Sequence, residues 1–223
     1  MTVVFVSARS PRSVSRDAAD AGVTGFAICA NGATLFDLDE ERIVEHNALP
    51  SDVASSLVRG LRERVPGVCF GCERELGFSH EPDYERGPYA HPAVQVADAL
   101  VLVSTPVTKL VARHSEVDVT RLAEIALELA GETATVTVSG TLFVEISAAG
   151  VTKAFALERL AGLLGVDRDE VISFGDMPND VPMLVWAGRG VAVSNAHPDV
   201  LAAADDVTAS NDEDGVALVL ETL

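Results

Sequence analysis

Apolar positions along this chain follow two rhythms, short continuous runs and helical spacings, and the two alternate. Residues 3–6 and 171–174 are short, apolar and rich in β-formers, so both predict buried strands. Residues 26–30 predict a third strand, running into the strong turn signal Asn31-Gly32. Helical spacing marks 12–21, ending at Gly22, then 52–65, closed by Pro66-Gly67, and 119–130. Strands are predicted over about 68–76 and 107–113, and 133–139 with 142–146 alternate around Ser139-Gly140 as a β-hairpin. Residues 79–92, polar and proline-bearing, predict a loop. Ala154, Leu157, Leu160, Ala161 and Leu164 recur at helical spacing, which puts Lys153 near a helix start. Strands alternating with helices predict an α/β protein.

The densest chemistry lies in 171–184. Gly175 is expected to let the backbone turn sharply after its strand, so that Asp176 projects into the crevice where open α/β sheets bind ligands. Asp180 follows beside a helix start that Pro182 favours, with Met183, Leu184 and Trp186 as its apolar face. Two carboxylates and the Asn179 amide suit a hard cation such as Mg²⁺, which takes carboxylate oxygens, water and substrate phosphate. A turn aspartate and a capping aspartate account for the same residues. At the end of the 3–6 strand, Ser7-Ala8-Arg9 offers a hydroxyl and a guanidinium, both able to hold phosphate. Lys153 is oddly placed, because a helix start disfavours a cation unless an anion is held nearby. Of the sixteen basic residues only Lys109 and Lys153 are lysines, which suggests a compact ammonium is needed at Lys153. Lys109 is expected to be an exposed strand residue.

A hydroxyl at a strand end, a Lys at a helix start and GDMPND, in that order, resemble the haloacid dehalogenase (HAD) superfamily of phosphohydrolases, and most closely its Cof-type branch. Ser7 matches the second motif, Lys153 the third and Asp176 through Asp180 the fourth. CANGATLFD at 29–37 resembles the family's strand and turn, and the tail from 204 matches as well. The resemblance implies a Rossmannoid parallel-sheet core, 1–41 and 149–223, with an α+β cap inserted at 42–148. It implies a Mg²⁺-dependent phosphatase for a small phosphorylated metabolite, working through an aspartyl-phosphate. Asp176 and Asp180 would be the metal residues, with Asp176 the ligand and Asp180 its support. Ser7 and Asn179 would donate to phosphoryl oxygens, Lys153 would offset transition-state charge, and Arg9 would contact the substrate.

One departure stands out. The family's opening strand with DxDGT, which carries the nucleophile, has no counterpart ahead of Ser7. Asp37 and Asp39 imitate it, but Glu40-Glu41-Arg42 follows where Gly-Thr belongs, so they are expected to be solvated turn carboxylates. Loss of a central strand would bare its neighbours, so the expectation is a start inside a longer reading frame or a cut chain. The alternative is a catalytically inactive phosphate-binding or regulatory relative.

Composition narrows the partners. A formal charge of −18 argues against nucleic acid and anionic membranes, and makes local positive charge necessary for a phosphate ligand. The first residues show no basic leader, and no apolar run approaches the roughly 18–20 residues of a membrane span, so a cytoplasmic protein is expected. Cys69 and Cys72 have CxxC spacing with His80 and His91 downstream, but no second close ligand pair follows. Cys69 is expected in a half-buried strand, with the three cysteines as free thiols.

Overall fold

The structure, a computed structural model, describes residues 1–85, 93–138, 140 and 142–223. Ser139, Thr141 and 86–92, including His91, lie outside the described residues, and with them the expected hairpin tip and part of the expected 79–92 loop. The chain divides into two compact units, Met1–Val151 and Thr152–Leu223.

The first unit begins with β1 (Phe5–Val6), α1 (Pro11–Ala21), β2 (Phe26–Cys29), β3 (Thr34–Asp37) and β4 (Arg42–His46), forming a sheet in the order β1-β2-β3-β4. β1 and β2 are parallel, and the other pairings are antiparallel. α1 buries Pro11, Val14 and Ala18, a one-face helical spacing, and stops at Gly22, whose φ of 66° closes the helix in a conformation that suits glycine. Val14, Ala27, Cys29 and Phe36 form the small core beneath it. β1 is shorter than the expected 3–6 run, and Val3 is 39% exposed. It pairs on one side only among the described residues, so its first half has no neighbour to hold it. β4 is half-buried at Ile43 and Glu45 and exposed at the other three positions, and because Val44 faces out while Glu45 faces in, its sequence lacks the apolar–polar alternation that marks a strand.

The unit continues with α2 (Ser51–Arg64), β5 (Cys69–Arg74), β6 (Gly77–His80), α3 (Ala99–Leu102), β7 (Lys109–Arg113), α4 (Val119–Ala130), β8 (Ala134–Thr137) and β9 (Val144–Ala148). Five strands form an antiparallel sheet in the order β6-β5-β7-β9-β8. Because strand side chains alternate between faces, Phe70, Cys72, Leu110, Ala112, Val144 and Ile146 share one face. They pack with Leu57, Leu61, Leu122 and Ala126 of α2 and α4 into the unit's main core. The opposite face carries Glu73, Lys109, Glu145 and Ser147, and three of these are buried despite their polarity. The predicted 79–92 loop starts later than expected. Ser79 and His80 end β6, which returns on β5 through a tight turn at Glu75-Leu76, with Glu75 at φ 51°.

The second unit holds α5 (Lys153–Leu164), β10 (Ile172–Gly175), α6 (Val181–Trp186), β11 (Arg189–Val193), α7 (Pro198–Ala203), β12 (Asp206–Thr208) and α8 (Gly215–Leu220). Its three strands are all parallel, in the order β10-β11-β12. Helices separate consecutive strands, as parallel pairing requires. Leu184, Ala192, Val193 and Val200 form its core, and Met183 is also buried. The expected α/β class is the one found. No described helix is long and apolar enough to cross a membrane.

Candidate active site

Lys153 is the first residue of α5, and Thr152 caps that helix by accepting a hydrogen bond from the Phe155 amide at 3.1 Å. The helix start places the ammonium inward, where it is 7% exposed and donates to Asp180 Oδ1. The anion that the helix dipole calls for is therefore supplied by the protein itself. Asp180 is 3% exposed, and its other oxygen accepts from the amides of Asp176 at 3.1 Å and Met177 at 3.0 Å. One carboxylate thus neutralises the lysine and folds the loop after β10 back on itself. Both members are buried, so removing either alone would leave an uncompensated charge at a cost of about 3–5 kcal/mol.

Gly175 is needed for a different reason from the sharp turn expected of it. It is absent from the positive-φ glycines, whereas a Cβ placed on it would lie 2.5 Å from Asp180 Cβ. The glycine makes room for the aspartate.

Asp176 emerges exposed beyond β10. Its carboxylate accepts from no other described residue, while its carbonyl accepts from the His197 amide at 2.8 Å, fixing the backbone from the α7 side. Partial burial and the Asp180 charge raise its pKa, and Lys153 opposes them. Two neighbouring carboxylates offer oxygens of the kind a hard divalent cation takes, but among the described residues no group of three or more His, Cys, Asp or Glu side chains gathers there. Asp180 fits as a ligand less directly, because protein donors already engage both of its oxygens. Asn179 stands between the two, half-buried in the short 3₁₀ turn Pro178–Asp180.

Ser7 and Arg9 lie in the first unit. The Ser7 amide donates to Ile28 O at 2.8 Å and its carbonyl accepts from Asn31 N at 3.0 Å, while Arg9 O accepts from Ala30 N at 2.9 Å. The Ser7 hydroxyl accepts from the Arg9 amide at 3.1 Å, and the exposed Arg9 guanidinium pairs with Asp17. Ala30 and Asn31 both adopt left-handed backbone, at φ 52° and 59°. For a residue with a Cβ this costs about 1–2 kcal/mol, so the turn has to be held by its surroundings.

Lys109 is not the exposed residue that its strand pattern predicted. It is 4% exposed, donates to Glu145 Oε1 at 2.5 Å and reaches Ala8 O at 2.9 Å. Burial alone would lower its pKa, but the charges of Glu145 and Glu73 outweigh burial and raise it. Glu145 is 1% exposed, and its Oε2 accepts from Asn31 Nδ2 at 3.1 Å. Sequence reasoning missed Glu145 entirely.

Asp37 and Asp39 sit where a turn needs them. Asp37 Oδ1 accepts from the amides of Asp39 at 3.0 Å and Glu40 at 2.9 Å, and Asp39 Oδ2 from Gly25 N at 3.0 Å. Cys69 and Cys72 both lie in β5, three residues apart, and so point to opposite faces of the sheet, which no shared metal can bridge. Cys69 is half-buried and Cys72 fully buried, as free thiols.

These features match a known family. The model of the haloacid dehalogenase-like hydrolases matches residues 1–220. The chain belongs to that family. Bacillus subtilis YitU, a 5-amino-6-(5-phospho-D-ribitylamino)uracil phosphatase, is 44% identical over 78 residues, 35% of this chain and 29% of its own. A haloacid dehalogenase-like hydrolase from Bacteroides thetaiotaomicron is 28% identical with a TM-score of 0.80, over 98% of this chain and 85% of that one. The HAD subclass IIB sugar phosphatase BT4131 reaches a TM-score of 0.85 at 23% identity, over 100% of this chain and 85% of its own, which speaks to the fold alone. The matches to the first curated relatives span 29% to 32% of those proteins' lengths. The family and fold implied by Ser7, Lys153 and GDMPND are therefore the ones found.

Proposed function

We propose that this HAD family member serves a Mg²⁺-dependent phosphatase activity toward a small phosphorylated metabolite, a phosphate monoester of the kind named for YitU. The observation that carries the reading is the buried Lys153–Asp180 pair, which holds a lysine and the Asp176 loop together within one unit. Asp176 would hold Mg²⁺, and Asp180 would support it by fixing the loop. A bound divalent cation would supply charge neutralisation for the phosphoryl oxygens. Lys153 would share that task, and Ser7 and Asn179 would donate hydrogen bonds to those oxygens. Arg9 would contact the substrate after exchanging Asp17 for it.

In this scheme residues 42–148 act as a cap that excludes water from the leaving group, while 1–41 and 149–223 form the catalytic core. The family's nucleophilic aspartate belongs to a motif ahead of Ser7. Asp37 and Asp39 would not replace it, because their carboxylates accept from the turn amides of Asp39 and Gly25. The expected location is the cytoplasm.

Calorimetric titration of Mg²⁺ into residues 1–223, with and without inorganic phosphate, tests the reading. Mg²⁺ and phosphate should each tighten binding of the other, by the reciprocity of coupled sites, and Asp176→Asn should abolish the effect. Independent binding, or none, would sink the reading.

A further inference from the structure

We propose that the buried Lys109–Glu145 pair is a positioning device for the Ser7-Ala8-Arg9 loop; this role rests on the phosphate contacts proposed for Ser7 and Arg9. The hydrogen bonds close a ring. Ser7 O accepts from the Asn31 amide, the Asn31 side chain donates to Glu145 Oε2, Glu145 Oε1 accepts from Lys109, and Lys109 donates to Ala8 O, the residue next to Ser7. Thr137 Oγ1 on β8 also accepts from Asn31 Nδ2, at 3.1 Å. The ring reaches across 101 residues of sequence from Ala8 to Lys109.

An ion pair is not required to hold β7 to β9, since a buried apolar pair at the same positions would stabilise the sheet as well or better. What apolar side chains cannot do is donate to the Ala8 carbonyl and accept from the Asn31 side-chain Nδ2. The loop needs that help. Ala30 and Asn31, whose amides bind Arg9 O and Ser7 O, are both held in left-handed backbone that relaxes unless something fixes it. The pair spans both sides of the loop, and a compact ammonium with three donors can serve a carboxylate and a carbonyl at once. Lys109 is therefore a positioning residue: it acts through Ala8 O and Glu145, and it sets where the Ser7 hydroxyl and the Arg9 backbone stand.

Amide hydrogen exchange measured by NMR on residues 1–223 tests this without requiring any ligand. The variants are Lys109→Met and Glu145→Gln, with Leu110→Ala as a control that truncates the opposite, apolar face of the same strand. Lys109→Met should speed exchange of the Ala30, Asn31 and Arg9 amides about tenfold relative to the amides of β5 and β7. Leu110→Ala should speed exchange without that bias. Should Lys109→Met fail to fold, Glu145→Gln, which keeps the shape and removes the charge, should show the same local pattern at smaller size. An unchanged ratio in the folded variants overturns the proposal. A parallel titration with inorganic phosphate, read at the Ser7 and Arg9 amides, should show weaker binding in Lys109→Met than in Leu110→Ala at matched stability, and equal binding overturns the positioning role. If the unmodified chain binds no phosphate, the phosphatase reading fails, and the exchange ratios still decide whether the pair holds the loop.

Discussion

Gly175 and Asp180 stand in a fixed steric relation: a methyl group on the glycine would lie 2.5 Å from the aspartate's Cβ and 2.9 Å from its Cγ. The carboxylate that binds Lys153 and the loop amides can occupy its place only because residue 175 has no side chain. Gly175→Ala should therefore destabilise the protein by about 1–3 kcal/mol, the usual cost of forcing an extra carbon into a packed site. It should also expose Lys153. Urea denaturation measures the first effect, and faster modification of Lys153 by an amine reagent measures the second. A variant as stable as the parent would show that the loop shifts freely.

Lys153 and Asp180 form a buried pair, so single replacements should be far more costly than a joint one. Lys153→Met alone should cost about 3–5 kcal/mol by leaving Asp180 charged and unpaired. The Lys153→Met, Asp180→Leu double variant should recover part of that loss, although the amides of Asp176 and Met177 would lose their acceptor. Additive losses in denaturant titrations would mean that the two side chains do not interact. Any assay of Lys153 variants has to be read against this stability cost before a loss of turnover is assigned to chemistry.

Asp176 should behave in the opposite way. Its carboxylate supports no other described residue, so Asp176→Asn should leave the unfolding midpoint within about 0.5 kcal/mol of the parent, as for surface changes generally. Mg²⁺ affinity should drop by at least an order of magnitude, because an anionic ligand has been replaced by a neutral one. Unaltered Mg²⁺ affinity in calorimetry would remove Asp176 from the metal site.

Much of this was legible in the sequence, and what was not has a physical cause. The periodicity of 154–164 put Lys153 at a helix start, and the dipole argument required an anion near it. The sequence did not identify Asp180 as that anion, because 27 residues separate the two and only the fold joins them. GDMPND offers Asp176 as a ligand with Asp180 as its support, and what the sequence does not show is that the support runs through Lys153 and the amides of Asp176 and Met177, which engage both Asp180 oxygens. The sequence makes Lys109 a solvent-facing residue, because a polar residue alternating with Leu110 looks like a solvent face, yet it is buried. That face is buried in the fold, where the carbonyl of Ala8 and the carboxylate of Glu145 meet the ammonium. Alternation tells two faces of a strand apart, but it does not say what covers the polar one.

The three cysteines should label in a fixed order. Burial pushes the Cys29 thiol up to about 12, with Glu73 adding to it, and the Cys72 thiol up to about 11. Cys69, half-buried, is raised as well, mainly by burial. A thiol reagent needs thiolate, so Cys69 should react first, at a rate that rises with pH through pH 9, while Cys29 and Cys72 wait for unfolding. The direction follows from the shifts: each raised pKa leaves less thiolate at a given pH than an ordinary cysteine would. Mass spectrometry of partly labelled protein at pH 7, 8 and 9 would check this. Early labelling of Cys72 would contradict the burial of β5's inner face.

Residues 1–223 by themselves should hydrolyse a generic phosphate ester only at a residual rate, even with Mg²⁺. In the proposed scheme Ser7, Asn179 and Lys153 would bind and neutralise, while Asp180 is held in its ion pair and amide bonds. Asp176 is proposed for the cation, so none of these five residues offers a free carboxylate to attack phosphorus. Electrostatic stabilisation alone sustains some acceleration when a nucleophile is missing, as measured in other enzymes, so activity above the uncatalysed rate is expected but small. Joining a segment that carries the family's DxDGT strand ahead of Met1 should raise turnover by orders of magnitude. Stability should rise with it, because β1 pairs on only one side among the described residues and an added strand would find an open edge there. The informative comparison sets both forms beside their Asp37→Asn, Asp39→Asn double variants. Those substitutions should weaken the β3–β4 turn by the loss of hydrogen bonds to Asp39 N, Glu40 N and Gly25 N while leaving turnover of the extended form unchanged once stability is matched. Robust hydrolysis by residues 1–223 that disappears in the double variant would instead make Asp37 or Asp39 the nucleophile and overturn their assignment to the turn.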